Sequence, residues 1–121
     1  MRLDKLTKTA VGALDDIKGR DIAVLDVRKL TSLFDKIVIA SADSSRQAKA
    51  LSNNVQEKVK ASGSKVYGVE GEQAGEWILV DLGAVVVHIM QPAVRQYYNL
   101  EELWTPPRPV RKRAAATAAS E

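Results

Sequence analysis

Residues 75–104 read GEWILVDLGAVVVHIMQPAVRQYYNLEELW, and the folding of this stretch decides how the rest of the chain must be arranged. Two runs, residues 76–81 and 85–90, are rich in Val, Ile and Leu and flank Leu82-Gly83-Ala84, the pattern of two β-strands joined by a short turn. Pro92 suits the first turn of a helix over residues 93–98, and Leu100, Leu103 and Trp104 form a closing apolar cluster. A three-residue loop predicts that Asp81 faces Val85, Leu79 faces Val87 and Trp77 faces Ile89. On that register Trp77, Leu79, Asp81, Val85, Val87 and Ile89 share one face, and Ile78, Val80, Val86 and His88 the other. Neither face alternates to polar, so both need cover. Helices from the rest of the chain can cover one, and the last segment or a partner must cover much of the other.

Working outward, residues 65–70 (KVYGVE) read as a strand broken by Gly68, and the following Gly- and Glu-rich loop, residues 68–76, is expected to be mobile or solvent-exposed. Before it, Ser44 and Gln47 have capping-box spacing, with Asp43 an alternative cap. Ala48, Leu51, Val55 and Val59 then form a helical stripe that Gly63 ends. Residues 21–27 (DIAVLDV) and 35–42 (DKIVIASA) are strands separated by a largely polar interruption. Their near-continuous apolar character predicts that at least one is covered on both faces. At the N-terminus, Leu3, Leu6, Ala10, Leu14 and Ile17 recur at helical spacing, and Gly19 is the expected C-cap. The order α-β-β-α-β-β-β-α predicts one α/β domain over residues 1–104, a mixed five-stranded sheet with helices packed on it. The helix between strands two and three permits a parallel pair. Residues 105–121 offer little to bury and read as a disordered, basic, Pro/Ala-rich tail.

Composition narrows the function. The formal charge is +3, yet Arg108, Arg111, Lys112 and Arg113 against Glu121 place all of it after residue 104; the rest carries fourteen bases and fourteen acids. The domain itself therefore lacks the basic surface that binding to phosphate backbones needs. No apolar run is long enough to span a bilayer, no secretory signal core is present, and a cytoplasmic location is expected. With no cysteine, thiol catalysis and Cys-based metal sites are excluded. One His and no HExxH or EF-hand spacing predict no metal site and no cofactor. A Ser-His-Asp set can be written from Asp81, His88 and any of several serines, but no GxSxG elbow accompanies it. His88 reads as a half-buried strand histidine. The start of the second helix could hold an anion beside Arg46, though ordinary capping explains it. Trp77 and the tyrosines, with Arg95 and His88 beside them, have the composition of an interface hot spot or of a core with polar tips.

Residues 75–104, preceded by DIAVLDVRKLTSLFDKIVIASADSSRQAKALSNNV at 21–55, closely resemble the ribosomal silencing factor family, also called the Iojap family, from the N-terminal helix to Trp104. The resemblance implies a nucleotidyltransferase-like fold without the activity, in a non-enzymatic translation repressor acting under nutrient limitation. Members bind the large ribosomal subunit through its ribosomal protein number fourteen, block joining of the small subunit, and are often homodimers off the ribosome. Mapped onto this chain, it implies partner contacts at Trp77, Asp81, His88, Arg95, Tyr98, Leu100 and Trp104. Tyr98, Leu100 and Trp104 would be apolar anchors; Asp81, His88 and Arg95 would be polar contacts that set register. Ala84 and Ala93 stand where the family usually has acids. The alternative is a relic nucleotidyltransferase-like enzyme, but the residues two before Asp81 and Asp26 are Leu79 and Val24, so neither strand offers the paired carboxylates of a two-metal site. A further reading gives Arg108, Arg111, Lys112 and Arg113 an electrostatic contact to ribosomal RNA.

Overall fold

The two amphipathic stripes form helices and share one sheet face. In the computed structural model, which describes residues 3–104, α1 (Leu3–Asp16) and α2 (Ser45–Ala61) bury Leu6, Ala10, Ala13 and Leu14 from one helix and Ala48, Leu51, Val55 and Val59 from the other. Beneath them lie Val38, Ala40, Ile78, Val80, Val85, Val87 and Ile89, and these residues form the larger core. Fully burying an aliphatic side chain stabilises by about 1.5–3 kcal/mol, so this all-aliphatic layer is where most of the fold's stability lies.

The strands are β1 (Arg20–Asp26), β2 (Lys36–Ser41), β3 (Gly68–Glu70), β4 (Trp77–Asp81) and β5 (Val85–Met90), followed by α3 (Pro92–Tyr98) and a single turn, α4 (Leu100–Leu103). They form one sheet in the order β1-β2-β5-β4-β3. The β2–β5 pair is parallel and the other three are antiparallel, so the α/β class and the mixed five-stranded sheet are as the sequence predicts. Strand β2 is covered on both faces, its residues from Ile37 to Ser41 all being buried. Strand β1 sits at the edge, carries a bulge between Arg20 and Ala23, and exposes charged ends, devices that discourage edge-to-edge pairing.

The helix ends show how local chemistry fixes the layer. The Ser44 side chain accepts from Gln47 N at 3.1 Å, while Gln47 Oε1 accepts from Asp43 N at 2.6 Å, one residue earlier than a standard capping box. The same amide donates to Ile17 O and Lys18 O, so it also satisfies carbonyls where α1 ends. The left-handed residue there is Lys18 (φ 62°), not Gly19. Gly19 is needed for space instead: its N donates to Leu14 O at 2.8 Å, and a Cβ would stand 2.9 Å from that oxygen. The basic tail, residues 105–121, lies outside the described residues.

Candidate docking surface

The register of the β4–β5 hairpin differs by one residue from the sequence expectation. Trp77 pairs with Met90, Leu79 with His88 and Asp81 with Val86, because four residues rather than three separate the last paired positions. Leu82 N donates to Val85 O at 2.9 Å, Gly83 adopts φ +86°, and the Asp81 carboxylate accepts Gly83 N at 2.8 Å. A shift of one moves every side chain of a strand to the other face. Val85, Val87 and Ile89 thus join the helical core, and Val86, His88 and Met90 join Trp77, Leu79 and Asp81 on the second face.

This shift brings the indole and the imidazole together. Trp77 Nε1 donates to His88 Nδ1 at 3.0 Å, so the imidazole is neutral and carries its hydrogen on Nε2. Burial pushes His88 down to about 4, and it works as a fixed hydrogen-bonding group at neutral pH rather than as a proton carrier. The Trp77 ring also meets Tyr98, with centroids 4.9 Å apart, and Tyr98 meets Tyr97 edge-on at 5.0 Å. Tyr98 is 53% exposed and Tyr97 82%. The outcome is a ladder of rings from half-buried sheet to solvent.

The C-terminal segment covers part of the second face. Val27, Ile37, Ile39, Met90 and Leu100 form a smaller core, with Leu25, Phe34, Trp77, Val94 and Trp104 packed against it. Leu100 is buried, and Trp104 packs edge-on against Phe34 at 5.4 Å. The Arg95 guanidinium donates to Glu101 at 2.8 Å and to Ser41 Oγ at 2.8 Å, and its hydrogen bond to the Glu101 carboxylate, with its charge a smaller influence, holds that carboxyl below its usual range. Of the seven expected contact residues, Trp77, Asp81 and Tyr98 are therefore partly or largely exposed at the open part of the face, while His88 is buried beside Trp77 rather than half-buried. Arg95, Leu100 and Trp104 instead fasten the segment that borders it.

Beside this border no described residue closes over the sheet. Leu33, Phe34, Tyr67, Leu79, Asp81, Gly83 and Val86 line a groove of about 370 Å³, continued through Leu79 into a shallower one lined by Glu70, Gly71 and Trp77. Leu33 is 80% exposed and Tyr67 62%. Leu33, Phe34, Tyr67, Leu79 and Val86 were not among the expected site residues. The period of two between Trp77 and Asp81 would have found Leu79; Leu33 and Phe34 lie between the polar interruption and the second strand, with no periodic signal. Ala84, one of the two departures from the family pattern, contributes through its backbone, its O accepting from Asp35 N and Lys36 N. Ala93, the other, lies exposed on α3.

The acidic loop before β4, expected to be mobile or exposed, is exposed through residues 71–74 but tied at its end. Ser45 Oγ donates to Ala74 O at 3.0 Å, Gln91 Nε2 donates to Gly75 O at 3.0 Å, and Gln91 N donates to Glu76 O at 3.0 Å. Gly75 is buried with φ +72°, and a Cβ there would stand 2.8 Å from the Ser45 Cβ. The approach of Trp77 to the groove is thereby fixed from the α2 side.

The two carboxylates considered for metal chemistry lie on opposite faces of the sheet, Asp26 sharing the face of Lys36 and Val85, Asp81 that of Val86. Asp26 is occupied by Arg28, whose hydrogen bonds hold it down to about 2, and Asp81 caps its own turn. Among the described residues no three His, Asp or Glu side chains form a group able to hold a metal ion. What the face does offer is flat apolar area, stacked rings and two acids on a rigid sheet. These are the attributes of a module that binds another macromolecule.

The chain belongs to the ribosomal silencing factor family. The family model described as "Ribosomal silencing factor during starvation" matches residues 1–121. A ribosomal silencing factor of Chromobacterium violaceum is 53% identical over 109 residues, spanning 90% of this chain and 89% of that protein. A crystal structure of a C. violaceum protein superposes with a TM-score of 0.86 at 52% identity, covering 96% of this chain and 97% of that one. A more distant mouse relative, named for mitochondrial assembly of the ribosomal large subunit, is 34% identical over 98 residues, 78% of this chain and 43% of that protein. Family membership makes the chain a ribosome-associated regulator of translation.

Proposed function

We propose that this protein binds the large ribosomal subunit through its ribosomal protein number fourteen and, by occupying space the small subunit needs, blocks subunit joining and represses translation when nutrients are limiting. The observation that carries the reading is the second face of the sheet, finished by α3 and α4 at one side and bare at the other. Trp77 and Tyr98 are its aromatic anchors, Leu79 and Val86 its apolar floor, and Asp81 and His88 its polar groups. Arg95, Leu100 and Trp104 act by holding the bordering segment in place. A stable interface needs about 800 Å² per partner, and a sheet face with one flanking helix can supply that area. The mechanism is occupancy and uses no catalysis or cofactor. In the same reading the protein is cytoplasmic and pairs with a second copy off the ribosome, and Arg108, Arg111, Lys112 and Arg113 add attraction to ribosomal RNA once the domain has docked.

The test is cosedimentation of the folded protein with purified large subunits. Tyr98→Ala removes a half-exposed ring and is expected to weaken binding by about 30-fold, the loss of one hot-spot residue of about 2 kcal/mol. Wild-type cosedimentation by a Tyr98→Ala, Trp77→Ala double variant with native circular dichroism would exclude this face.

A further inference from the structure

The even balance of fourteen bases and fourteen acids before residue 105 conceals a separation in space. The open groove carries Glu70 and Asp81 and no base, and the loop beside it adds the exposed Glu72 and Glu76. Across the sheet, α2 carries Arg46, Lys49, Lys58 and Lys60, all exposed, against a single acid, Glu57. Arg46, Lys49, Asn53, Gln56 and Lys60 succeed one another at intervals of three and four, so they form one line along the helix, about 21 Å from end to end. The buried stripe of α2 lies on the sheet, and Gln47 and Asn54 bond back to carbonyls of α1 and its C-terminal end. The line therefore runs along the flank turned away from both. Helix electrostatics account for part of this charge. Lys58 and Lys60 lie in the last turn, where the macrodipole favours cations. Arg46 and Lys49 lie near the opposite end, where it disfavours them, and the first turn holds no acid to offset them. Among the described residues Arg46, Lys49 and Lys60 enter no ion pair, so their charge is free for an outside anion.

We propose that this line binds the phosphate backbone of double-helical RNA. Arg46, Lys49 and Lys60 meet phosphates, and Asn53 and Gln56, whose amide also donates to Ser52 Oγ at 3.0 Å, meet phosphate or ribose 2′-hydroxyl oxygens. No aromatic ring stands on α2, so the line lacks the stacking platforms that single strands need. A duplex is recognised instead by shape, phosphates and 2′-hydroxyls. A lipid surface fits less well, because the apolar stripe of α2 is already packed in the core and cannot enter a bilayer. In a protein of a ribosome-associated family the duplex is ribosomal RNA. Only that choice of source rests on the docking reading. A domain held by its sheet face on a ribosomal protein presents α2 on its other side, where a neighbouring RNA helix can lie.

The test is a titration of the full-length protein into a dye-labelled RNA duplex of about 20 base pairs, followed by fluorescence anisotropy between about 50 and 200 mM salt. The triple variant R46Q, K49Q, K60Q exchanges exposed side chains for a comparable helix former, and its urea denaturation should match that of the unaltered protein. It is expected to bind about tenfold more weakly or worse at low salt, with the slope of log affinity against log salt reduced by about 2–3, near 0.9 per phosphate contact. The same loss is expected in a chain whose tail bases are neutral (R108Q, R111Q, K112Q and R113Q). Unchanged affinity and slope in the triple variant overturn the proposal, and so does the loss of all binding on neutralising the tail alone. In the unaltered chain, the duplex is expected to shift the amide signals of residues 45–60. Shifts confined to Trp77, Leu79 and His88, or equal binding to the separated single strands or to anionic lipid vesicles, also overturn it. No ribosomal protein is present in these samples, so the result stands apart from that of the cosedimentation test.

Discussion

The two faces of the sheet are built on different terms. Under α1 and α2 every buried sheet residue is aliphatic, and the layer is closed. On the other face rings, an imidazole, a partly buried guanidinium and two acids share the surface with aliphatics, and a groove stays open. Stability is concentrated on the first face, where packing is complete. The second face keeps apolar area in contact with water, which a monomer tolerates at modest size and a binding protein uses. A substitution should therefore affect folding or binding according to the face it enters.

Leu51→Ala should separate the two most widely. Leu51 is fully buried on α2, and its truncation is expected to cost about 2–5 kcal/mol by urea denaturation, with unchanged large-subunit affinity per folded molecule. A lower affinity at equal folded concentration would show that the faces are coupled. His88 gives the next effect. Its proton binds at the ordinary imidazole value of about 6.5 in the unfolded chain and at about 4 in the folded one. The unfolded state thus takes up more protons between these values. This contribution to stability is complete above about pH 6.5, is lost as pH falls through that window, and has a ceiling of about 3 kcal/mol. Denaturation midpoints measured from about pH 7.5 down to about pH 4.5 should fall, and His88→Gln should flatten that slope. A slope unchanged in His88→Gln would assign the acid sensitivity elsewhere. The smallest effect belongs to the loop fastening: Gly75→Ala should cost about 1–2 kcal/mol through its positive φ and the approach of Ser45, with faster hydrogen exchange in residues 71–76. Unaltered exchange there would mean that Gln91 and Ser45 suffice to hold the loop.

The elements and their order were legible because α1 and α2 have strong helical periodicity and the strands are short, β-branched and well punctuated. The hairpin register was not. Both faces of β4 are apolar, so the hydrophobic pattern has nothing with which to choose between a three- and a four-residue connection. The Trp77–His88 pair is the direct casualty, since the expected register placed those side chains on opposite faces. Arg95 was legible as a site residue and not as a fastener, because its partner Ser41 lies 54 residues away in sequence. Leu33 was missed for a similar reason: a leucine in the connection between two strands becomes part of a groove only when Tyr67 and the β4–β5 turn arrive beside it. The candidate site was thus half visible, as a set of residue types, while its division into binding and fastening groups depends on long-range contacts.

The strand order has a temporal consequence. Strand β5 lies between β2 and β4 and is made last of the five, so β1–β2 and β3–β4 remain separate pieces until it is present. The parallel β2–β5 pair joins positions such as Lys36 and Val85, far apart along the chain, and non-local pairings of this kind close slowly. During synthesis the sheet cannot assemble before Met90 has left the exit tunnel, and the ring ladder forms after that. The same late strand that completes the core carries His88, so a chain able to present its docking face is one that has already finished folding.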